Sequence, residues 1–343
     1  MRHVKSICLV FALSALLLGS CGKPPTPVEE IYWPKAPQTP KIKYVKTIYG
    51  NESLKRSFWG GIRDFFFGKG DRHSMGKPYG VTYDGRSKLF IADTAKKGIL
   101  VLDLDRGTSK FFNSLGSQGY LAEPVYIKLD RDGLIYVSDT KLKRVVVFTP
   151  VYEFSHYIGS HDDFQGPVGI AFSRNEDRIF IVDSQGHKVK IFTKDGSLVD
   201  EFGHRGDKLG EFHYPLTVAT NNGDSVYIVD SFHSSVQVFD IDGTFLFSFG
   251  SSESHPGPMA RPRDIAIDSD NNIYITDAIR NAVHIYDNTG RVLLRFGQGG
   301  VNAGEFRLPA GISIDDDDYI YIGDSINKRV QVLRYLGQET SDN

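Results

Sequence analysis

The sequence predicts an all-β fold assembled from six copies of one antiparallel unit, on three observations. The first is a strand that ends in an aspartate and recurs as LFIADTAKKGILVLD, IYVSDTKLKRVVVFT, IFIVDSQGHKVKIFT, VYIVDSFHSSVQVFD, IYITDAIRNAVHIYD and IYIGDSINKRVQVLR. Its aspartates are Asp93, Asp139, Asp183, Asp230, Asp277 and Asp324, 44 to 47 residues apart. The second is a proline 15 or 16 residues before each aspartate, at Pro78, Pro124, Pro167, Pro215, Pro262 and Pro309. Two markers that keep step over one period define a repeat. The third is composition: 12% aromatic residues and 35 glycines in 343 residues favour strands and turns over helices.

In chain order, the first twenty residues are set apart from the fold. MRHVK is basic and SICLVFALSALLL is an apolar run of 13 residues, too short to span a membrane and suited to a signal peptide. The run ends in Leu18-Gly19-Ser20-Cys21, which resembles the bacterial lipobox. That resemblance implies that Cys21 is lipidated and becomes the new N-terminus. With Gly22 behind the cysteine it further implies an outer-membrane lipoprotein of the cell envelope, facing the periplasm or the surface. Cys8 falls in the removed segment, so the mature domain would hold no free thiol, disulfide or cysteine metal site. Loss of Arg2 and Lys5 leaves 38 basic against 42 acidic side chains, no footprint for nucleic acid. Residues 21–40 hold six prolines and read as an extended tether.

KIKYVKTIYG, residues 41–50, alternates like a strand but has no neighbour in sequence, the next strand lying some thirty residues on. Each repeat contains four strand-like segments: one after the proline, one ending at the aspartate, a third past a polar loop, and a fourth ending in Phe-Gly or a close variant. Four short strands per repeat, joined by turn residues, are the signature of a propeller blade. The pattern resembles the NHL repeat, with Gly-Glu-Phe and proline in FGHRGDKLGEFHYP (202–215) and FGQGGVNAGEFRLP (296–309). The expectation is a six-bladed β-propeller of four-stranded antiparallel blades over 41–336, blades starting near 78, 124, 167, 215, 262 and 309, with 337–343 a tail. The sixth copy has three strands only, so 41–50 should supply its fourth by pairing with RVQVLRYL (329–336) and close the ring.

Two features of the expected ligand-binding face vary between blades. After the aspartates stand Lys96 and Lys97, Lys141 and Lys143, His187, His233, Arg280 and Asn281, and Asn327 and Lys328; the aspartates themselves read as caps of their own turns. NHL repeats often carry Asn-Lys-Arg there, a pattern kept closely by Asn327-Lys328-Arg329. The other feature is an insert, 51–77, containing Phe58, Trp59, Phe65, Phe66 and Phe67. Such aromatics either pack over the neck between blades six and one or anchor a partner. In the central passage Arg263 stands among apolar counterparts, and either holds an anion or pairs with Asp264. The acidic runs 268–272 and 315–318 lack the glutamate that a calcium loop of the EF-hand type places at its twelfth position.

Members of the NHL family act as interaction modules, as RNA binders, or, in the amidating lyase, as zinc enzymes. No serine-nucleophile motif is visible and the histidines are scattered over the repeat, so the favoured reading is a monomeric envelope module, without cofactor, that binds a protein, a glycan or a small ligand. The alternative is a metal-dependent lyase or hydrolase of the amidating-lyase type, with His187, His233 and a nearby carboxylate as the metal candidates.

Overall fold

The computed structural model describes residues 30–50, 73–160, 162–251 and 258–337. Every inner strand begins at one of the six prolines, as in Pro78–Tyr83, Pro167–Phe172 and Pro309–Ile314. Proline suits a strand's first residue, where no ladder N–H is required of it. From each of the first five prolines the chain runs outward through four antiparallel strands, and from Pro309 through three; in blade five these are Pro262–Ile267, Ile273–Asp277, Ala282–Tyr286 and Val292–Phe296. The second and third strands are buried along their length, whereas the outer strand Val292–Phe296 is largely exposed, because only the middle strands are packed by blades on both sides. Six four-stranded blades result, one of them extended, and the fold is the expected propeller.

Six apolar clusters lie one at each junction between blades, and they are what makes the ring continuous. Blades six and one share Tyr321, Val330 and Val332 with Val81, Leu89 and Leu100, and the other five junctions repeat the arrangement. The orphan strand does close the ring. Ile42–Ile48 runs antiparallel to Arg329–Tyr335, with Ile42 opposite Tyr335 and Ile48 opposite Val330, and it removes the free edge that blade six would otherwise expose. Among the described residues no helix is long and apolar enough to cross a membrane. The apolar run 6–18 and Cys21 lie outside them.

Residues 31–40 depart from the extended tether expected over 21–40. Tyr32–Trp33 forms a fifth strand against Ile42 and Lys43, and the Trp33 ring packs 5.6 Å from Phe296 of blade five. The half-buried Trp33 indole packs on the apolar cluster between blades five and six, a contact that offsets the extended preference of the prolines around it.

The turns between first and second strands explain the acidic runs. Asp268 accepts N–H bonds from Asp270 and Asn272 and the Tyr274 hydroxyl, and Asp315 accepts those of Asp317, Tyr319 and Tyr321 in the same way. They are turn caps whose oxygens are committed to the protein's own donors.

Around the axis, Gly80, Gly169 and Gly311 let neighbouring inner strands touch: a Cβ on Gly169 would sit 2.5 Å from Thr217 Cα. The same position holds Tyr126, Thr217 and Asp264 in the other blades, and the Thr217 hydroxyl donates to the Arg263 carbonyl at 3.3 Å. Arg263 does not pair with Asp264. Successive residues of a strand face opposite ways, so Arg263 donates instead to the Tyr79 hydroxyl of blade one at 2.7 Å. Asp264 is buried and accepts the N–H groups of Ile265 and Ile312 at 2.9 and 2.8 Å.

Burial pushes the Asp264 carboxyl up to about 7, against the pull of those N–H bonds and of Lys128. A native pKa above the unfolded value means that the folded state holds a proton the unfolded state has lost, so stability should fall as pH rises through about 4 to 7, by at most about 4 kcal/mol. The Asp264→Asn variant should show a flatter dependence of its urea midpoint between pH 5 and 8. An unchanged slope would place the titration elsewhere.

Candidate functional site

The turns between second and third strands and the connections from one blade to the next lie on one face, and their backbone is fixed from below by the repeat aspartates. Asp139 accepts N–H bonds from Ala122 and Glu123 in the incoming connection and from Lys141 and Leu142 in its own turn, at 2.7 to 3.1 Å. The six aspartates are at most 2% exposed, so they are structural staples.

The fourth residue after each aspartate is left-handed in every blade: Lys97, Lys143, His187, Ser234, Asn281 and Lys328 have φ between 52° and 54°. That conformation is the turn's requirement and is paid for by the hydrogen bonds around it. His187 is buried here, and its Nδ1 accepts the Tyr214 N–H at 3.2 Å, as Asn281 Oδ1 accepts that of Leu308 at 2.9 Å two blades on. Burial, then the nearby Arg205 charge, lowers the His187 pKa. Lys143 is exposed at the same turn position.

The second residue after each aspartate is exposed in all six blades, and here the blades divide. Blades one to three carry Ala95, Lys141 and Gln185, whereas blades four to six carry Phe232, Ile279 and Ile326, which are 50%, 61% and 48% exposed. Half of the face thus presents an arc of large apolar side chains. The Arg261 guanidinium lies 4.4 Å above the Phe232 ring, and the rings of Tyr214 and His213 lie 5.1 and 5.2 Å from it. Arg280, the third residue of its turn, donates from Nε to the Pro258 carbonyl, and Arg307 is exposed beside the arc.

His233 also occupies the third position, one residue earlier than His187 in its turn, and the two do not converge. Its Nδ1 lies 2.8 Å from Asp230 Oδ2 and its Nε2 3.1 Å from Asp207 Oδ1. Burial alone would lower the His233 pKa, but the two carboxylates outweigh it and hold it above the ordinary value. The histidine that does approach His233 is His213, two residues before Pro215, with ring centroids 5.7 Å apart.

Of the residues singled out in the sequence, Arg280 borders the arc, His233 stands beside it, and Arg263 lies in the axial passage. Phe58, Trp59, Phe65, Phe66 and Phe67 lie outside the described residues, although Gly50 and Ser74, which flank them, pair in an antiparallel bridge. The sequence does not single out Phe232, Ile279, Ile326, Tyr214, Arg261, Asp207 or His213. The signal for the first three is present in one column of the repeat, the second residue after the aspartate, where large apolar side chains stand in three blades and small or polar ones in the other three.

Residues 164–249 and 260–336 match the model of a family, DUF5128, described as a six-bladed beta-propeller. A segment of 67 residues is 33% identical to the E3 ubiquitin-protein ligase NHLRC1 of Rattus norvegicus; it covers 20% of this chain and 17% of the length of that ligase. Among solved structures, a protein of unknown function from Bacteroides thetaiotaomicron superposes with a TM-score of 0.65 at 16% identity, covering 86% of this chain and 75% of that one. Virginiamycin B lyase from Staphylococcus aureus superposes with a TM-score of 0.57 at 15% identity, over 76% of this chain and 96% of that one. An auxiliary nutrient binding protein from Bacteroides ovatus gives 0.61 at 14% identity, over 76% and 69%. At these identities the structural likeness carries the fold alone. Together with the repeat and the closed ring, the comparisons show a six-bladed β-propeller whose repeats are similar to NHL repeats.

Proposed function

We propose that the protein is an interaction module of the cell envelope, held to the membrane through a lipid on Cys21, and that it engages a protein partner through the apolar arc of blades four to six. The observation that carries this reading is the division of one repeat position into Phe232, Ile279 and Ile326 on one half of the face and Ala95, Lys141 and Gln185 on the other. Nothing in blade architecture requires a large apolar group there, since three blades do without it. Exposed apolar side chains on three neighbouring blades with arginines beside them are the composition of a protein-binding surface, where aromatic and arginine anchors dominate affinity. Arg261, Arg280 and Arg307 would select a partner that offers carboxylates beside aliphatic or aromatic side chains.

The triple variant Phe232→Ser, Ile279→Ser, Ile326→Ser should fold with a melting temperature close to that of the parent, because the side chains are exposed, and should lose the partner recovered by crosslinking of envelope preparations. Phe232→Ala alone should weaken the complex about thirtyfold, near 2 kcal/mol. Undiminished recovery with the folded triple variant would refute the reading. Membrane attachment is checked separately: Cys21→Ala should abolish incorporation of labelled fatty acid.

A further inference from the structure

We propose that Asp207, His213 and His233 bind one divalent transition-metal ion, of the zinc or cobalt class, beside the apolar arc. One donor atom from each of the three residues lies within 4.8 Å of the other two. They come from two stretches of chain, Asp207 and His213 from the connection between blades three and four and His233 from the next turn of blade four. The fold is what brings His233 to the other two.

The pair His233 and Asp207 is already near ligand spacing. Metal bonds of about 2.1 Å in a tetrahedral sphere set adjacent donors about 3.4 Å apart, and His233 Nε2 stands 3.1 Å from Asp207 Oδ1. Asp230 Oδ2 holds His233 Nδ1 at 2.8 Å, which directs Nε2 outward, the arrangement in which a second carboxylate orients a ligating imidazole. Asp230 Oδ2 also accepts the backbone N–H of His213 at 2.8 Å, so one buried carboxylate positions both histidines. Phe212, fully buried next to His213, fixes the chain at that point. Only the His213 ring needs to turn inward to complete three ligands.

Two imidazoles and one carboxylate favour zinc, cobalt, nickel or copper over calcium and magnesium, which prefer sets of oxygen ligands. Three protein ligands leave a fourth position open, and the exposed Asp207 side chain puts it toward solvent. The ion would lie at the edge of the arc, since the His213 ring is 5.2 Å from Phe232. None of the three apolar side chains is a ligand, so this site stands or falls independently of the protein partner.

The test is titration of the purified, untagged, chelator-treated full chain with Zn²⁺ by calorimetry, and with Co²⁺ by visible absorption. The expected result is one ion per chain with micromolar or tighter affinity and a cobalt band characteristic of nitrogen and oxygen ligands in low coordination. His213→Ala and His233→Ala should each weaken binding about a hundredfold and Asp207→Ala about tenfold. His156→Ala and His204→Ala should change nothing. Asp207 lies on an exposed loop, so its variant tests the site even if a histidine change perturbs folding. Absence of saturable zinc binding, affinity unaltered by Asp207→Ala and His213→Ala, or equal binding of Ca²⁺ would each overturn the proposal.

Discussion

Arg329→Met is expected to destabilise the ring by about 3 to 5 kcal/mol, the loss typical of removing one partner from a buried ion pair. Arg329 is only 2% exposed, and its guanidinium makes contacts that no neutral side chain replaces. Nε donates to the Asp324 carboxylate at 2.8 Å, Nη1 to the Val301 carbonyl at 2.6 Å, and Nη2 to the carbonyls of Asn302 and Glu305 at 2.8 and 2.7 Å. Nη1 also reaches the Tyr49 hydroxyl at 3.3 Å, just beyond the closing strand. One side chain thus ties the last repeat, the connection before it and the N-terminal strand together at the seam of the ring. Methionine would leave a buried carboxylate and three carbonyls short of a donor. Arg329→Lys keeps the charge but not the planar fork, and should recover only part of the loss. Urea unfolding followed by tryptophan fluorescence in a Trp59→Phe background measures this, because Trp33 packs on the same extended blade. Hydrogen exchange of Ile42–Ile48 should accelerate in the variant.

Asp139→Ala should cost a similar 3 to 5 kcal/mol, although no cation is involved. The carboxylate is fully buried and serves four backbone N–H groups, two in the connection from blade one and two in its own turn. Alanine removes every acceptor at once. Asp139→Asn keeps the shape and one oxygen but turns an amide toward N–H groups, so it should lose about half as much. The urea midpoints of the two variants, compared with that of the parent, decide the point; a loss below about 1 kcal/mol for alanine would mean that the turn does not depend on its staple.

The ring is legible in the sequence because the groups that build it are the ones that repeat. The prolines open the inner strands and the aspartates staple the turns, so the period of the markers is the period of the structure. The closing strand is legible for a related reason: a sixth repeat with three strands has an edge to fill, and 41–50 has no other mate. The fold of Tyr32–Trp33 is hidden because it depends on a contact with Phe296, more than 260 residues away, amid prolines that suggest an extended chain. The pairing of Arg263 with Asp264 fails on strand geometry, since neighbours in a strand point apart. Among the histidines, a shift of one residue within the turn separates two fates. His187 falls on the left-handed position and turns in to hold Tyr214, whereas His233 falls one place earlier and faces His213 and Asp207. The apolar arc is hidden for a different reason: a phenylalanine and two isoleucines are ordinary residues in a β-rich sequence, and only their exposure in the folded ring sets Phe232, Ile279 and Ile326 apart.

The central claim, that blades four to six carry the binding half of the face, is tested most directly by the symmetry of the ring itself. A photocrosslinking amino acid can be placed, one site at a time, at the six equivalent positions occupied by Ala95, Lys141, Gln185, Phe232, Ile279 and Ile326 in cells that make the protein. The account predicts crosslinks to one common partner from positions 232, 279 and 326 and none to it from 95, 141 and 185. Equal crosslinking around the whole ring, or crosslinks to the partner confined to the first three blades, would contradict it.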